Sequence, residues 1–362
     1  MSRDVSVDLG ERAYTIHIGL SLLSEAGSIC SDLGLSGKCL VVSDTNVEER
    51  YGDILCRALN SAGLDSRLVA VPAGESSKSH EQLLALYHAA LNHGLDRSSY
   101  VFALGGGVVG DLAGYLAATY LRGVRYIQIP TTIVSMVDSA VGGKTGINMP
   151  EGKNLIGAFW QPHAVLADLE TLASLPDREY RSGLAEVVKY GVIADAEFFD
   201  RLETQAGDVL ARDPGLLEEL VARSCEIKAD VVREDEREGG LRAILNFGHT
   251  AGHAIEKVAS YGTFLHGEAI SVGMIFAAEV SAQSVGLPRE SVDRIRELLK
   301  SFGLPGTAPA CAWGALRETM RVDKKSVASN PRFVLAESIG AVRFGCEVDD
   351  CLLEEIWNGL SK

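Results

Sequence analysis

Tyr100-Val101-Phe102-Ala103-Leu104-Gly105-Gly106-Gly107-Val108-Val109-Gly110-Asp111 is the stretch whose reading decides the fold. Its apolar opening suits a strand buried on both faces, and the glycine cluster behind it opens a helix. Glycines at such a turn let backbone N–H groups approach a pyrophosphate, and the helix N-terminus favours negative charge. The spacing is not that of the GxGxxG fingerprint, and tight strand–helix packing would call for the same glycines. The stretch predicts a strand leading into a helix, with a phosphate site as its functional reading.

The same grammar extends to both sides. Val5-Ser6-Val7-Asp8-Leu9 and Tyr14-Thr15-Ile16-His17-Ile18 alternate with period two around Gly10-Glu11, which predicts a hairpin. Residues 38–42, 67–71, 125–129 and 164–167 read as further strands, with helices over 47–59 and 80–93. Strands alternating with helices build a parallel sheet covered on both faces. Asp44-Thr45-Asn46, Gly74-Glu75-Ser76-Ser77-Lys78, Gly105-Gly106-Gly107 and Pro130-Thr131-Thr132 each follow a strand. Open α/β sheets bind ligands at the carboxyl ends of their strands, so these clusters predict a nucleotide site.

From Asp177 the pattern turns helical, over 179–190, 216–235, 250–259 and 269–285, while 333–335 and 342–344 suit a small hairpin. The expected architecture is an α/β N-terminal Rossmann-like parallel-sheet domain over residues 1–176, then a mainly α-helical C-terminal metal- and substrate-binding domain over 177–362. The join lies near Ser174-Leu175-Pro176-Asp177.

At 362 residues the chain can bury two cores, and 46% hydrophobic with 23% charged residues is ordinary for a soluble globular protein. A net charge of -15 argues against nucleic acid or an anionic membrane as partner. Lysines and arginines nonetheless gather near the motifs, and a basic pocket in an acidic protein suits a small anionic substrate. Cys30, Cys39, Cys56, Cys225, Cys311, Cys346 and Cys351 form no CxxC pair and read as reduced thiols of a cytoplasmic protein. No signal peptide is expected from Met1-Ser2-Arg3-Asp4, and no apolar run is long enough to span a bilayer.

The richest chemistry lies in Asn246-Phe247-Gly248-His249-Thr250-Ala251-Gly252-His253, followed by His266-Gly267-Glu268. His249 and His253 stand one helical turn apart on a shared face, and His266 arrives just beyond that helix. Histidines with a carboxylate are a ligand set for a catalytic zinc-type ion that keeps an open position. A histidine pair alone is as readily a polar helix face, because the full HExxH motif is absent.

Val137-Asp138-Ser139-Ala140-Val141-Gly142-Gly143-Lys144-Thr145-Gly146-Ile147-Asn148 resembles a loop of the 3-dehydroquinate synthase family of sugar-phosphate cyclases. So do Gly152-Lys153-Asn154-Leu155-Ile156-Gly157-Ala158-Phe159, Gly183-Leu184-Ala185-Glu186-Val187-Val188-Lys189, and the run from Arg242 to Glu256. The resemblance covers nearly the whole chain. It implies conversion of 3-deoxy-D-arabino-heptulosonate 7-phosphate to 3-dehydroquinate and phosphate, a step of the shikimate route. NAD+ would oxidise the substrate transiently, phosphate would be eliminated, the hydride returned, the ring opened and a carbocycle closed by an aldol step. The enzyme would be a lyase with no net redox change.

By resemblance, Glu186, His249 and His266 hold zinc or cobalt. NAD+ would contact Asp44, Asn46, Glu75, Lys78, Gly106, Gly107, Val108 and Asp111. Thr131, Thr132, Lys153, Thr171, Ser174, Leu175 and Glu179 complete the implied cofactor set. Acidic Asp44 and Glu75 suit ribose hydroxyls, which favours NAD over its phosphorylated form. Substrate and catalysis would fall to Asp138, Lys144, Asn154, Lys189, Lys228, Arg242, Asn246 and His253, with Lys324 or Lys325. Arg122 matches a residue that reaches a neighbouring subunit's site, which implies a homodimer. The chain departs from the family at Met136, Ala140 and Met149, where Gln, Ser and often His are usual. Three rivals stand beside this reading: another sugar-phosphate cyclase, a metal-dependent polyol dehydrogenase that turns over NAD stoichiometrically, and a non-catalytic nucleotide-binding protein.

Overall fold

A computed structural model of the chain describes residues 2–259, 264–309, 311–323 and 331–360. These form two compact units: Met1–Leu175 with Leu217–Arg233, and Pro176–Leu216 with Glu234–Lys362.

In the first unit, β1 (Arg3–Val7) and β2 (Tyr14–Gly19) pair antiparallel, with Val7 opposite Tyr14. β3 (Gly37–Asp44), β4 (Leu64–Val71), β5 (Tyr100–Gly105) and β6 (Arg125–Pro130) follow. The hairpin of β7 (Lys144–Met149) and β8 (Gly152–Phe159) precedes β9 (Ala164–Asp168). The sheet runs β1-β2-β9-β6-β5-β3-β4 and is parallel except at β1.

Side chains alternate along a strand, and in β3 and β5 both faces are apolar. Leu40, Val42, Val101 and Ala103 join one core, packed with helices His80–His93 and Gly107–Thr119. Cys39, Val41, Tyr100, Phe102 and Leu104 join another, packed with helices Leu22–Asp32 and Asp53–Ser61. After β3 the chain steps outward to β4 and then returns to place β5 on the other side of β3. The carboxyl ends of β3 and β5, at Asp44 and Gly105, therefore flank a topological switch point, where such sheets bind ligands.

The β7–β8 hairpin lies in a stretch to which sequence patterning assigns no strand. Its alternation is broken by glycines that the pairing requires: Gly146 faces Gly157. A Cβ on Gly157 would stand 2.1 Å from the Thr145 carbonyl oxygen, and one on Gly146 would stand 2.6 Å from that of Ile156.

The second unit is mainly helical. Helices Asp177–Ala194, His249–Val258 and His266–Ser284 carry the histidine and carboxylate motifs, and β10 (Phe333–Ser338) pairs antiparallel with β11 (Ala341–Cys346). Helix Arg289–Ser301 lies outside the sequence expectations, although its buried Val292, Ile295, Leu298 and Leu299 follow helical spacing. Among the described residues, no helix is long and apolar enough to cross a membrane.

Helix Pro214–Glu234 corrects one expectation: the sequence reading gave its residues to the helical half, but Leu217–Arg233 belong with the first unit. Cys225 Sγ donates to the Met136 carbonyl at 3.4 Å, and Lys228 Nζ donates to the Asp138 carbonyl at 2.5 Å. Periodicity reveals an apolar face but not the core that receives it.

Candidate metal centre and nucleotide edge

Glu186 sits in the middle of helix Asp177–Ala194 with no solvent exposure. One carboxylate oxygen, Oε2, accepts from Lys189 Nζ. The other, Oε1, makes no hydrogen bond of good geometry, yet lies 3.3 Å from His249 Nε2 and 3.3 Å from His266 Nε2. His249 Nδ1 faces the Phe247 carbonyl at 3.1 Å, and His266 Nδ1 faces Glu256 Oε2 at 3.2 Å. Both rings thus have an acceptor at Nδ1 and turn Nε2 toward the same orphaned oxygen.

This donor set fits a divalent cation. Ligand arms of about 2.0–2.1 Å in a tetrahedron give edges of about 3.3–3.4 Å, and all three ligand atoms lie within 4.8 Å of one another. One carboxylate with two imidazoles also leaves a divalent ion a net positive charge. Burial opposes ionisation of Glu186, but the Lys189 ammonium and His249 hold its carboxyl well below the usual range. Burial keeps the His249 pKa below its ordinary value against the pull of Glu186. Burial acts the same way on His266, but there Glu186 and Glu256 together prevail and push the pKa up to about 10.

Glycines bring the three candidate ligands together. Gly248 turns the chain into helix His249–Val258 at φ 78°, and a Cβ on it would come within 2.6 Å of Met274. One on Gly252 would stand 3.1 Å from Ile270 Cα, and one on Gly273 would stand 2.1 Å from the Gly248 carbonyl oxygen. The two helices cross backbone to backbone, which keeps His249 near His266. Gly267 lets the first turn of helix His266–Ser284 sit on Ser182, whose Oγ accepts from Gly267 N at 3.0 Å. Arg178 clamps that turn through a two-pronged pair with Glu268, at 2.7 and 2.8 Å, while Glu268 caps Leu265 N at 2.8 Å.

Around the centre, the His253 ring lies 5.3 Å from that of His249 and 5.9 Å from that of His266. Arg242 is buried on the turn Leu241–Asn246 and donates to the Glu236 carbonyl at 2.5 Å. Asn246 ends that turn, half-buried. Lys189, implied as a substrate contact, is buried and holds Glu186. Lys324 and Lys325 lie outside the described residues.

The residues implied for nucleotide binding, Glu179 apart, belong to the first unit. Asp44 ends β3 and accepts from the backbone N–H groups of Asn46 and Val47, at 2.8 and 3.2 Å, so it caps the turn that exposes Asn46. Lys78 is buried and binds Asp111 Oδ2 at 2.6 Å and the side-chain oxygen of Asn154. Asn148, which sequence reasoning did not single out, completes this network. It donates to Glu75 Oε1 at 2.8 Å, and its Oδ1 accepts from Asn154 N at 2.9 Å. Nothing in the spacing marks Asn148; only the β7–β8 pairing does.

Gly106 and Gly107 cap and open helix Gly107–Thr119, with Val108 in its first turn. A Cβ on Gly106 would stand 3.3 Å from Thr132, and one on Gly107 would stand 3.0 Å from Ser139 Oγ. Thr132 Oγ1 accepts from Ser135 N at 3.1 Å, while the buried Thr131 hydroxyl makes no hydrogen bond among the described residues. Thr171 and Ser174 meet Tyr51, whose hydroxyl lies 2.7 Å from Ser174 Oγ; Leu175 follows, half-buried. Glu179 stands in the first turn of helix Asp177–Ala194, in the second unit.

Asp138 pairs with Lys228 through its carboxylate and its carbonyl. Lys144 opens β7, exposed, and Lys153 is half-buried on β8. Arg122 is exposed with φ 70°, directly after Leu121 at φ 51°, a left-handed pair that glycine would adopt at less cost.

Family models place the chain in context: the 3-dehydroquinate synthase N-terminal model matches residues 68–182 and the C-terminal model residues 183–326. A relative from Acidithiobacillus ferrooxidans named 3-dehydroquinate synthase is 50% identical over 347 residues, covering 96% of this chain and 95% of that one. A 2-epi-5-epi-valiolone synthase from Streptomyces hygroscopicus subsp. jinggangensis, solved with NAD+ and Zn2+, is 29% identical with a TM-score of 0.89 and 98% of both chains covered. A 2-deoxy-scyllo-inosose synthase, solved with carbaglucose-6-phosphate, NAD+ and Co2+, is 25% identical with a TM-score of 0.88 and 99% of both chains covered.

Proposed function

This chain belongs to the 3-dehydroquinate synthase family, and on that premise we propose that it converts 3-deoxy-D-arabino-heptulosonate 7-phosphate to 3-dehydroquinate and inorganic phosphate. The observation that carries the reading is the convergence of His249 Nε2 and His266 Nε2 on the buried Glu186 Oε1, each at 3.3 Å. It is a ligand set for zinc or cobalt within a chain 50% identical to a relative of that name.

When bound, the metal ion and NAD+ supply activation of a substrate hydroxyl and a hydride acceptor regenerated within each turnover, so elimination of phosphate leaves no net redox change. The protein's own groups bind and orient. Asp44 and Glu75 suit ribose hydroxyls, and Gly106 and Gly107 open the helix whose N-terminus suits the pyrophosphate. Arg242 offers a planar fork to the substrate carboxylate, and Lys144 and Lys228 offer point charges to its anionic groups. Asp138, Asn154, Asn246 and His253 would contact its polar groups, together with one of Lys324 and Lys325. Arg122, held in strained backbone, would complete the site of a second copy in a homodimer. We place the protein in the cytoplasm, with no nucleic-acid or membrane partner.

The test is phosphate release from this substrate with NAD+ and zinc or cobalt, with NADH absorbance followed alongside and a chelator control. Metal-dependent release without NADH accumulation is expected. No release by NAD-binding protein would favour another sugar-phosphate cyclase, and stoichiometric NADH would favour a polyol dehydrogenase.

A further inference from the structure

We infer that Glu256 is a positioning residue for the metal ligand His266: its carboxylate accepts the hydrogen on Nδ1 and so fixes the tautomer and ring angle that present Nε2 to the ion. The inference rests on the reading of Glu186, His249 and His266 as ligands.

An imidazole that ligates a metal ion is neutral and carries one hydrogen, so the nitrogen that donates that hydrogen leaves the other as the lone pair for the ion. His249 meets a backbone carbonyl at Nδ1, 3.1 Å away, which can only accept, so its lone pair is on Nε2. At His266 Nδ1 the acceptor is a carboxylate: Glu256 Oε2 stands there at 3.2 Å. The two Nε2 atoms then stand at equal distances of 3.3 Å from Glu186 Oε1. Glu256 lies on helix His249–Val258, so one rigid element supplies a ligand and also the support of another. Its side chain is 13% exposed, where water competes weakly for the carboxylate. A negative acceptor also makes the imidazole a stronger donor to a cation than a carbonyl does.

The same atoms allow a different role, because ligand atoms of His253, Glu256 and His266 also lie within 4.8 Å of one another. An ion there would take His266 at Nδ1 while Glu186 and His249 claim Nε2, stripping both hydrogens from one ring. Geometry therefore assigns Glu256 as support.

Cobalt added to the metal-free full-length protein provides the test, read as stoichiometry, affinity by chelator competition, and the visible band of the bound ion. One equivalent is expected. Glu256→Ala and the bulkier Glu256→Met, which lack a strong acceptor, should each weaken binding about 10–100-fold and shift the band. Glu256→Gln keeps an oxygen for Nδ1–H and should recover most of the affinity. Binding by the Ala or Met variant within about twofold of the parent, with an unchanged band, overturns the inference, as does a Gln variant as weak as both. A second equivalent that disappears with Glu256 would make it a ligand and also overturn the inference. His249→Ala separates the two readings: undiminished affinity there would sink the ligand assignment itself.

Discussion

Gly267→Ala should dislodge the candidate metal centre through backbone contact alone. The added Cβ would stand 1.7 Å from the Ser182 carbonyl oxygen, 2.6 Å from its carbon and 2.9 Å from Oγ. Relief to about 3.3 Å, the near limit of a C–H···O contact, takes a shift of about 1.6 Å. Ser182 lies one turn before Glu186 inside helix Asp177–Ala194 and cannot yield alone, so the first turn of helix His266–Ser284 must move and carry His266 with it. The 3.3 Å between His266 Nε2 and Glu186 Oε1 would open toward about 5 Å. Two ligands with arms of about 2.1 Å are never more than about 4.2 Å apart, so one ion could not hold both. Overpacking of this kind costs about 1–3 kcal/mol, and the lost Gly267 N–H bond to Ser182 Oγ adds about 1 kcal/mol. At about 2–4 °C per kcal/mol, a loss of about 3 kcal/mol lowers the melting temperature by about 6–12 °C. Melting by circular dichroism and zinc affinity by chelator competition read both effects. Gly207→Ala is the control: nothing lies within 4 Å of its added Cβ, and a gain of about 0.4–1 kcal/mol is expected. A Gly267→Ala protein with parental melting and metal affinity would refute the argument.

Glu186→Gln alters the proposed carboxylate ligand and deprives the buried Lys189 ammonium of the charge it pairs with, so metal binding should be lost. Chemical denaturation of the metal-free variant should also show about 3–5 kcal/mol less stability. Asp168 ends β9, and burial raises its carboxyl pKa above 3.8 despite hydrogen bonds from Leu23 and Glu170 N–H groups. A raised folded pKa means its contribution is fully present below 3.8 and lost as pH rises through the folded value. Asp168→Asn should therefore show a flatter fall in stability than the parent above pH 3.8, and parallel curves would contradict this. Chelation should abolish phosphate release yet spare NAD+ binding, followed by fluorescence quenching, because every residue proposed for the nucleotide except Glu179 lies in the first unit. Loss of both together would place the nucleotide contacts elsewhere.

The strands were legible because period-two alternation and short buried apolar runs are local signals: the hairpin of β1 and β2 and the strands β3 to β6 and β9 fall where the patterning puts them. The β7–β8 hairpin was not, because Gly146 and Gly157 serve a close backbone approach that leaves no apolar rhythm. Helical spacing put His249 and His253 on one face but treated them alike. Their clustering with His266 pointed to a metal, and resemblance to a family, not periodicity, added Glu186 and chose His249 and His266 beside it. Asn148 and Glu256 were read only as parts of motifs, because each acts on a partner that the chain brings near by folding.

By itself, then, the sequence determined most strands of the main sheet and the helices with a clear apolar rhythm, and which residue types stand at their ends, since these depend on neighbours a few positions away. Tertiary structure decided the rest. The return of the chain from β4 to place β5 beside β3 makes Asp44 and Gly105 neighbours at a switch point, which no local signal encodes. It also decided that Leu217–Arg233 joins the first unit, because an apolar helix face fits any core of the right shape. The close crossing at Gly248, Gly252 and Gly273 brings His249 to His266, and the seat of Gly267 on Ser182 brings His266 to Glu186. Burial then leaves one carboxylate oxygen of Glu186 facing two imidazole nitrogens, with no hydrogen bond of good geometry among the described residues.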